Sequence, residues 1–387
     1  MTLRPLRSAL CFLIAATAGT VAKTSAADLI ETRATHAAIM DVSTGDLLFG
    51  KKADIPVPPA SMSKLMTVAV VLDLIEQGRL SNNTPFSVSE KAWRTGGSKM
   101  FVLVDTEIEL IDLLKGIVVL SGNDACIVVA ENIAGSEEAF AELMNARAQA
   151  WGLTESSFGN PTGLPHPDQR MSMRDLARLS RHIWTTYPEY RFLFSIDEFT
   201  WSGITQLNRN PLIGGFPGAR GMKTGHTDEA GFGVVGLAEQ NGVARIAVVS
   251  GLETDEARRK AGIDLMEEAF EAFASGEFFS AGDIVGEATV FAGKAESVPL
   301  EIDQDVIFTR HKKILAAAEA ELIYDGPLRA PVMRGEQVAI LRLSLPGEEV
   351  REYPLYTADR VKGLGFFEKI GLGFQALFTP PDERAGR

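Results

Sequence analysis

Ser61 and Lys64 stand three residues apart at the head of a long apolar run, so a helix starting there carries both on one face of its first turn. That spacing lets a hydroxyl reach an amine. Serine is a weak nucleophile until a neighbouring base takes its proton. Lysine is such a base only when neutral, a state favoured by burial and by a second nearby cation. The helix N-terminus would add free backbone N–H groups and a positive dipole end, both suited to a developing oxyanion. Taken alone, Ser-x-x-Lys is also the pattern of an ordinary serine cap followed by a solvated lysine. Leu65, Met66, Val68, Ala69, Val70, Val71, Leu72, Leu74 and Ile75 argue against solvation, since they make the run from Ser61 to Gln77 apolar nearly all round.

Two further segments carry chemistry. Ser121-Gly122-Asn123 interrupts a helical pattern built on Ile108, Leu110, Ile111, Leu113, Leu114, Ile117 and Val118. Ser121 could relay a proton between Lys64 and a leaving amine, and Asn123 could hold Lys64 or a substrate amide. By itself the segment reads equally as a joint between helices, with Asn123 capping a helix from Asp124 to Ile133. Lys223-Thr224-Gly225 precedes Gly231 to Ala238, which turns at Asn241-Gly242 into Val243 to Val249, a strong hairpin signal. The segment therefore falls on or just before a strand, where Gly225 lets a substrate approach the backbone. By itself it is also a polar loop at a sheet edge. In this order, S-x-x-K, S-x-N and K-T-G form the signature of serine enzymes that open amide bonds through an acyl-enzyme.

The elements that must position these residues are readable. A strand pair, His36 to Met40 and Asp46 to Phe49, turns around Ser43-Thr44-Gly45. Helices are expected over Glu137 to Trp151, Arg174 to Ile183 behind a Ser172 cap, and Glu256 to Phe273. Strands at both ends of a helical middle predict a mixed α/β domain, one sheet with helices on its faces. From about Gly282 short alternating runs (Ala288 to Phe291, Ala318 to Tyr324, Gln337 to Leu345) predict a small all-β domain.

The ends differ from the body. Met1 to Ala27 carries Arg4 and Arg7, an apolar stretch from Ala9 to Val21 and small residues before Ala27, the pattern of a secretory signal too short to span a bilayer. Its removal, with three cations and no acid, would take the net charge of −13 to −16, which excludes general attraction to nucleic acid. Of two cysteines, Cys11 falls in that signal, so Cys126 has no intrachain partner and reads as a buried small hydrophobe. The five histidines form no metal-ligand cluster and there is no phosphate loop, so no metal or cofactor is expected; His226 reads as local packing or loop geometry. At the other end Val361, Leu364, Phe367, Ile370, Phe374, Leu377 and Phe378 make an apolar stripe, opposite Lys362, Glu368 and Lys369. The stripe suits an amphipathic helix lying on a membrane surface or packed on the β-domain.

The chain resembles the low-molecular-mass penicillin-binding proteins that act as D-alanyl-D-alanine carboxypeptidases. The resemblance rests on Ala60 to Thr67, Ser121 to Cys126, Gln206 to Asn210 and Lys223 to Asp228, and runs from about Ala37 to the C-terminal helix. It implies a β-lactamase-like transpeptidase domain, with an antiparallel sheet flanked by helices, over 28–280. A signal at 1–27, an all-β domain at 281–357 and a membrane-associating tail at 358–387 complete the expected division. It further implies Ser61 as nucleophile, Lys64 as its base, Ser121 as proton relay, and Lys223 with Thr224 as anchor for the substrate's terminal carboxylate. Asn123 and Gly225 would touch substrate, the backbone N–H groups of Ser61 and His226 would form the oxyanion hole, and Arg209 would add positive charge behind Lys223. The implied substrate is the peptidoglycan pentapeptide stem, with β-lactams as covalent inhibitors, in an exported protein attached to the outer face of the cytoplasmic membrane. One departure stands out: Thr162 occupies a position where relatives carry a histidine. An endopeptidase would use the same residues. A class A β-lactamase would need an E-x-x-x-N pattern that Glu155 and Asn160 miss by one residue, and a non-catalytic binding module would not need three intact motifs.

Overall fold

A computed structural model describes residues 29–366 and 368. The expected amino-terminal signal and the apolar stripe after Leu364 lie outside the described residues. The amino-terminal body is built on five antiparallel strands in the order β2-β1-β9-β8-β7: β1 is His36–Asp41, β2 Leu47–Lys51, β7 Ala219–Thr227, β8 Gly231–Gln240 and β9 Val243–Leu252. The expected Asn241-Gly242 hairpin joins β8 to β9, with both turn residues at positive φ. Two small strand pairs lie outside this sheet, β3 (Pro85–Ser87) with β4 (Glu107–Glu109) and β5 (Glu198–Trp201) with β6 (Ile204–Leu207).

Helices cover both faces of the sheet. On one side are α1 (Lys64–Glu76), the short α2 (Glu90–Arg94), α3 (Leu110–Val118), α4 (Asn123–Ala134), α5 (Glu137–Ala150) and α6 (Met173–Thr186). On the other α7 (Asp255–Glu271) packs Leu265, Met266 and Ala269 against Val234, Ala247 and Val249. Ser136, Ser172 and Thr254 each accept a backbone N–H three residues on and so start α5, α6 and α7. Leu65 to Leu72 are all buried, as the absence of a polar stripe on α1 requires. A buried pair closes the end of the β1–β9 ladder, Arg245 Nη1 donating to Asp41 Oδ2 at 2.7 Å.

Three sequence expectations are corrected. The run at Ser61 begins as a 3-10 turn, Ala60–Ser63, before α1 takes over at Lys64. Ile108 belongs to β4 and not to the helix that follows it. Asn123 does not cap α4: Gly122 holds that position, and the Asn123 side chain is engaged elsewhere.

The carboxy-terminal part is all-β. Phe273–Phe279 pairs with Val306–His311, and a six-stranded sheet follows whose order runs from Glu319–Tyr324 at one edge to Leu328–Arg329 at the other. Its core is Val298, Leu300, Ile302, Leu341, Leu343 and Leu355. Val361, first residue of the apolar stripe, belongs to this core: it is buried and exchanges both backbone hydrogen bonds with Val332. Arg310 joins the two parts, donating to Asp46 of the β1–β2 turn at 2.8 Å and to Glu348 of the β-domain.

Candidate active site

Three elements converge at the N-terminal end of α1. The 3-10 turn presents Ser61 half-exposed, while one turn further Lys64 is fully buried. Lys64 Nζ donates to Ser61 Oγ at 2.9 Å, to Asn123 Oδ1 at 2.8 Å and to the backbone carbonyl of Thr162. Burial pushes the Lys64 ammonium down to about 8, with the Arg209 guanidinium acting in the same direction. An amine poised there is neutral in a useful fraction of molecules near neutral pH.

Ser121, just ahead of α4, is buried in a left-handed conformation (φ 59°). Its hydroxyl makes no hydrogen bond within the described residues, so the structure brings Lys64 to Ser61 and Asn123 but draws no bond to Ser121. Asn123 spans the cleft: its Nδ2 donates to Gly96 O at 3.0 Å while its Oδ1 receives Lys64. Next to it the buried Asp124 carboxylate accepts from the backbone N–H groups of Met100, Phe101 and Val102. That clamp holds the 96–102 loop against the site. Arg209 reaches the same loop, donating to Ser98 Oγ at 2.6 Å.

The third motif lies on β7, at the open edge of the sheet. Lys223, Thr224 and Gly225 are buried and His226 is exposed. A side chain at Gly225 would come within 3.0 Å of the Met62 backbone nitrogen, so only glycine lets the strand lie this close to the turn that carries Ser61. Lys223 is pushed well below the ordinary lysine range, first by burial and then by the Lys64 and Arg209 charges. His226 stacks on Phe232 at 3.8 Å between ring centres, consistent with the packing role read from sequence. Beyond it a cavity of about 610 Å³ continues along the strand end, lined by Val57, Pro58, Thr227, Phe232 and Leu252. Cys126, on α4, is fully buried, and burial raises its thiol to about 12, so it is not a thiolate at neutral pH.

Sequence reasoning singled out Thr162 for its side chain and missed the use of its carbonyl. It is a backbone contact between residues 98 positions apart, and no side-chain pattern announces it. The Thr162 hydroxyl is itself spent on the loop, donating to Asn160 Oδ1 at 2.8 Å and accepting from the Leu164 N–H.

Comparison with known proteins agrees along the length of the chain. Residues 21–254 match the family model described as D-alanyl-D-alanine carboxypeptidase, and residues 273–363 match the penicillin-binding protein 5 C-terminal domain. The D-alanyl-D-alanine carboxypeptidase DacA of Haemophilus influenzae is 33% identical over 339 residues, covering 86% of each chain. Among solved structures, the D-alanyl-D-alanine carboxypeptidase DacD of Francisella tularensis superposes with a TM-score of 0.75 at 29% identity, over 86% of this chain and 95% of that one. The ampicillin-bound form of penicillin-binding protein D2 from Listeria monocytogenes superposes with a TM-score of 0.57 at 30% identity, over 62% and 99%. With Ser61, Lys64 and the Lys223–Gly225 strand gathered at one cleft inside the matched region, the chain belongs to the D-alanyl-D-alanine carboxypeptidase family.

Proposed function

We propose that the protein removes the terminal D-alanine from peptidoglycan pentapeptide stems through an acyl-enzyme on Ser61. The observation that carries this reading is the buried, depressed Lys64 amine at hydrogen-bond distance from the half-exposed Ser61 hydroxyl. Ser61 Oγ attacks the carbonyl of the penultimate D-alanine as its proton passes to Lys64. The oxyanion forms against the backbone N–H groups of Ser61 and His226. Collapse breaks the C–N bond, the leaving D-alanine amine receives a proton from Lys64 through Ser121, and water then hydrolyses the ester. Lys223 and Thr224 hold the terminal carboxylate, Asn123 and Gly225 line the peptide, and the upstream residues run past His226 toward the neighbouring cavity. By the same chemistry a β-lactam acylates Ser61.

The test is to incubate the enzyme with a pentapeptide stem and with a cross-linked dimer and weigh the products. Loss of one D-alanine from the pentapeptide is expected, and a dimer cut into monomers with the pentapeptide untouched would overturn the reading in favour of an endopeptidase. In the same assay Lys223→Ala should weaken the pentapeptide more than its C-terminally amidated analogue. Equal losses would assign Lys223 to the chemistry and not to the carboxylate.

The reading extends to location. We infer an exported enzyme with a leader through Ala27, a peptidase domain, a β-domain and a tail that rests on the outer face of the cytoplasmic membrane. Among the described residues no helix is long and apolar enough to cross a membrane, so attachment is assigned to the sequence stripe Phe367, Ile370, Phe374, Leu377 and Phe378. Val361 and Gly363 pair with Val332 and Gly293, so a cut that spares the β-domain falls after Gly365. Ending the chain at Gly365 should move the protein from the membrane to the soluble periplasmic fraction with activity on small peptides unchanged. Full-length protein already soluble, or a truncated chain still on the membrane, would refute the anchor.

A further inference from the structure

A neutral amine has two N–H bonds and one lone pair. Around Lys64 Nζ, Asn123 Oδ1 and the Thr162 carbonyl can only accept, so they take the two N–H bonds. The lone pair is left for Ser61 Oγ, the one of the three partners able to donate a proton. The aim of the base thus depends on where the Thr162 carbonyl sits.

That carbonyl belongs to a loop organised by one side chain. Asn160 Oδ1 accepts from the Thr162 N–H at 3.1 Å, the Thr162 hydroxyl at 2.8 Å and the Gly163 N–H at 2.8 Å, and Asn160 Nδ2 donates to Leu164 O at 3.0 Å. From α1, Thr67 Oγ1 donates to the Pro161 carbonyl at 2.7 Å. Gly163, at φ 77°, packs so closely on the Ala60–Ser63 turn that a side chain there would collide with Ala60 O and Ser63 Oγ. The loop is therefore pinned beside both members of the catalytic pair.

We propose that Asn160 is a positioning residue for Lys64: its carboxamide fixes the peptide unit whose carbonyl points the lysine lone pair at Ser61. The proposal rests on the carboxypeptidase reading. The ionisable groups that face Lys64 are Lys223 from β7, Arg209 from the segment after β6, and Asp124 and Cys126 from α4. Asn160 is neutral and acts on Lys64 through geometry alone.

The experiment measures acylation of Ser61 by a labelled penicillin against pH, with rates expressed per titrated active site. In Asn160→Ala the plateau should fall on the order of tenfold to a hundredfold, the usual cost of a misplaced catalytic group. Because a fixed acceptor favours the charged amine, its loss should also move the acidic limb to lower pH. Asn160→Asp keeps an oxygen for the three donors and adds a negative charge, so it should retain more of the plateau and move the limb upward. If Asn160→Ala does not fold, Thr162→Ala, which removes one of the three donors, makes the same test in the same direction. A limb that stays in place, whatever happens to the plateau, would make the role merely structural and overturn the proposal. Should Ser61 of the unmodified enzyme take no label, the carboxypeptidase reading falls and this proposal with it.

Discussion

A labelled penicillin should attach covalently to Ser61, and the Ser61→Ala variant should carry none. The strained amide of the drug presents the same carbonyl chemistry as the D-Ala-D-Ala bond, and the half-exposed hydroxyl beside Lys64 is the group placed to attack it. The variant should remain folded. Ser61 makes no side-chain cap, and its bond to Lys64 is worth about 1 kcal/mol to the fold, small beside the stability of a domain this size. Peptide mapping after labelling checks the result, with thermal melting as the control for folding. Label on any other residue would end the nucleophile assignment.

The second large effect is expected at Lys64. Lys64→Arg preserves a cation but removes the base, because a guanidinium does not deprotonate in proteins. Acylation should drop by about a thousandfold, within the usual range for loss of a general base. The pH dependence separates the two enzymes further. With Lys64 at about 8, the wild-type rate should fall as pH drops below that value, by about tenfold per unit, because the neutral amine is the active form. The arginine variant should show no such limb. Near-normal acylation in that variant would give the role of base to another group.

The motifs were legible because each is a short contiguous stretch whose residues must share one turn or one strand. Ser61 and Lys64 lie together on any helical turn, and Lys223 to Gly225 announced a strand through the apolar runs and the Asn241-Gly242 turn that follow. The α/β body and the all-β domain were legible for the same reason, periodicity being a local property. What escaped was made between distant segments. Asn123 looked like a cap because caps are recognised by residue type, yet its amide is used by Lys64 and Gly96. The Asp124 clamp on the 96–102 loop and the Arg209–Ser98 bond join residues 22 to 111 positions apart. The Thr162 contact uses a main-chain carbonyl, which every residue type possesses.

The open edge of β7 has a bearing on drug resistance. A strand at the border of a sheet keeps outward N–H and C=O groups unpaired, and these belong to the main chain. Substitution by any residue except proline, which lacks the N–H, changes the side chain and leaves the peptide group in place. If substrate and antibiotic both dock along this edge, few point mutations delete the shared bonds. Gly225 narrows the escape routes again, since any side chain there would push the strand away from the turn that carries Ser61. Selection for a drug-insensitive form would then have to act at a distance, on the loops that frame the cleft or on the speed with which the acyl-enzyme is released.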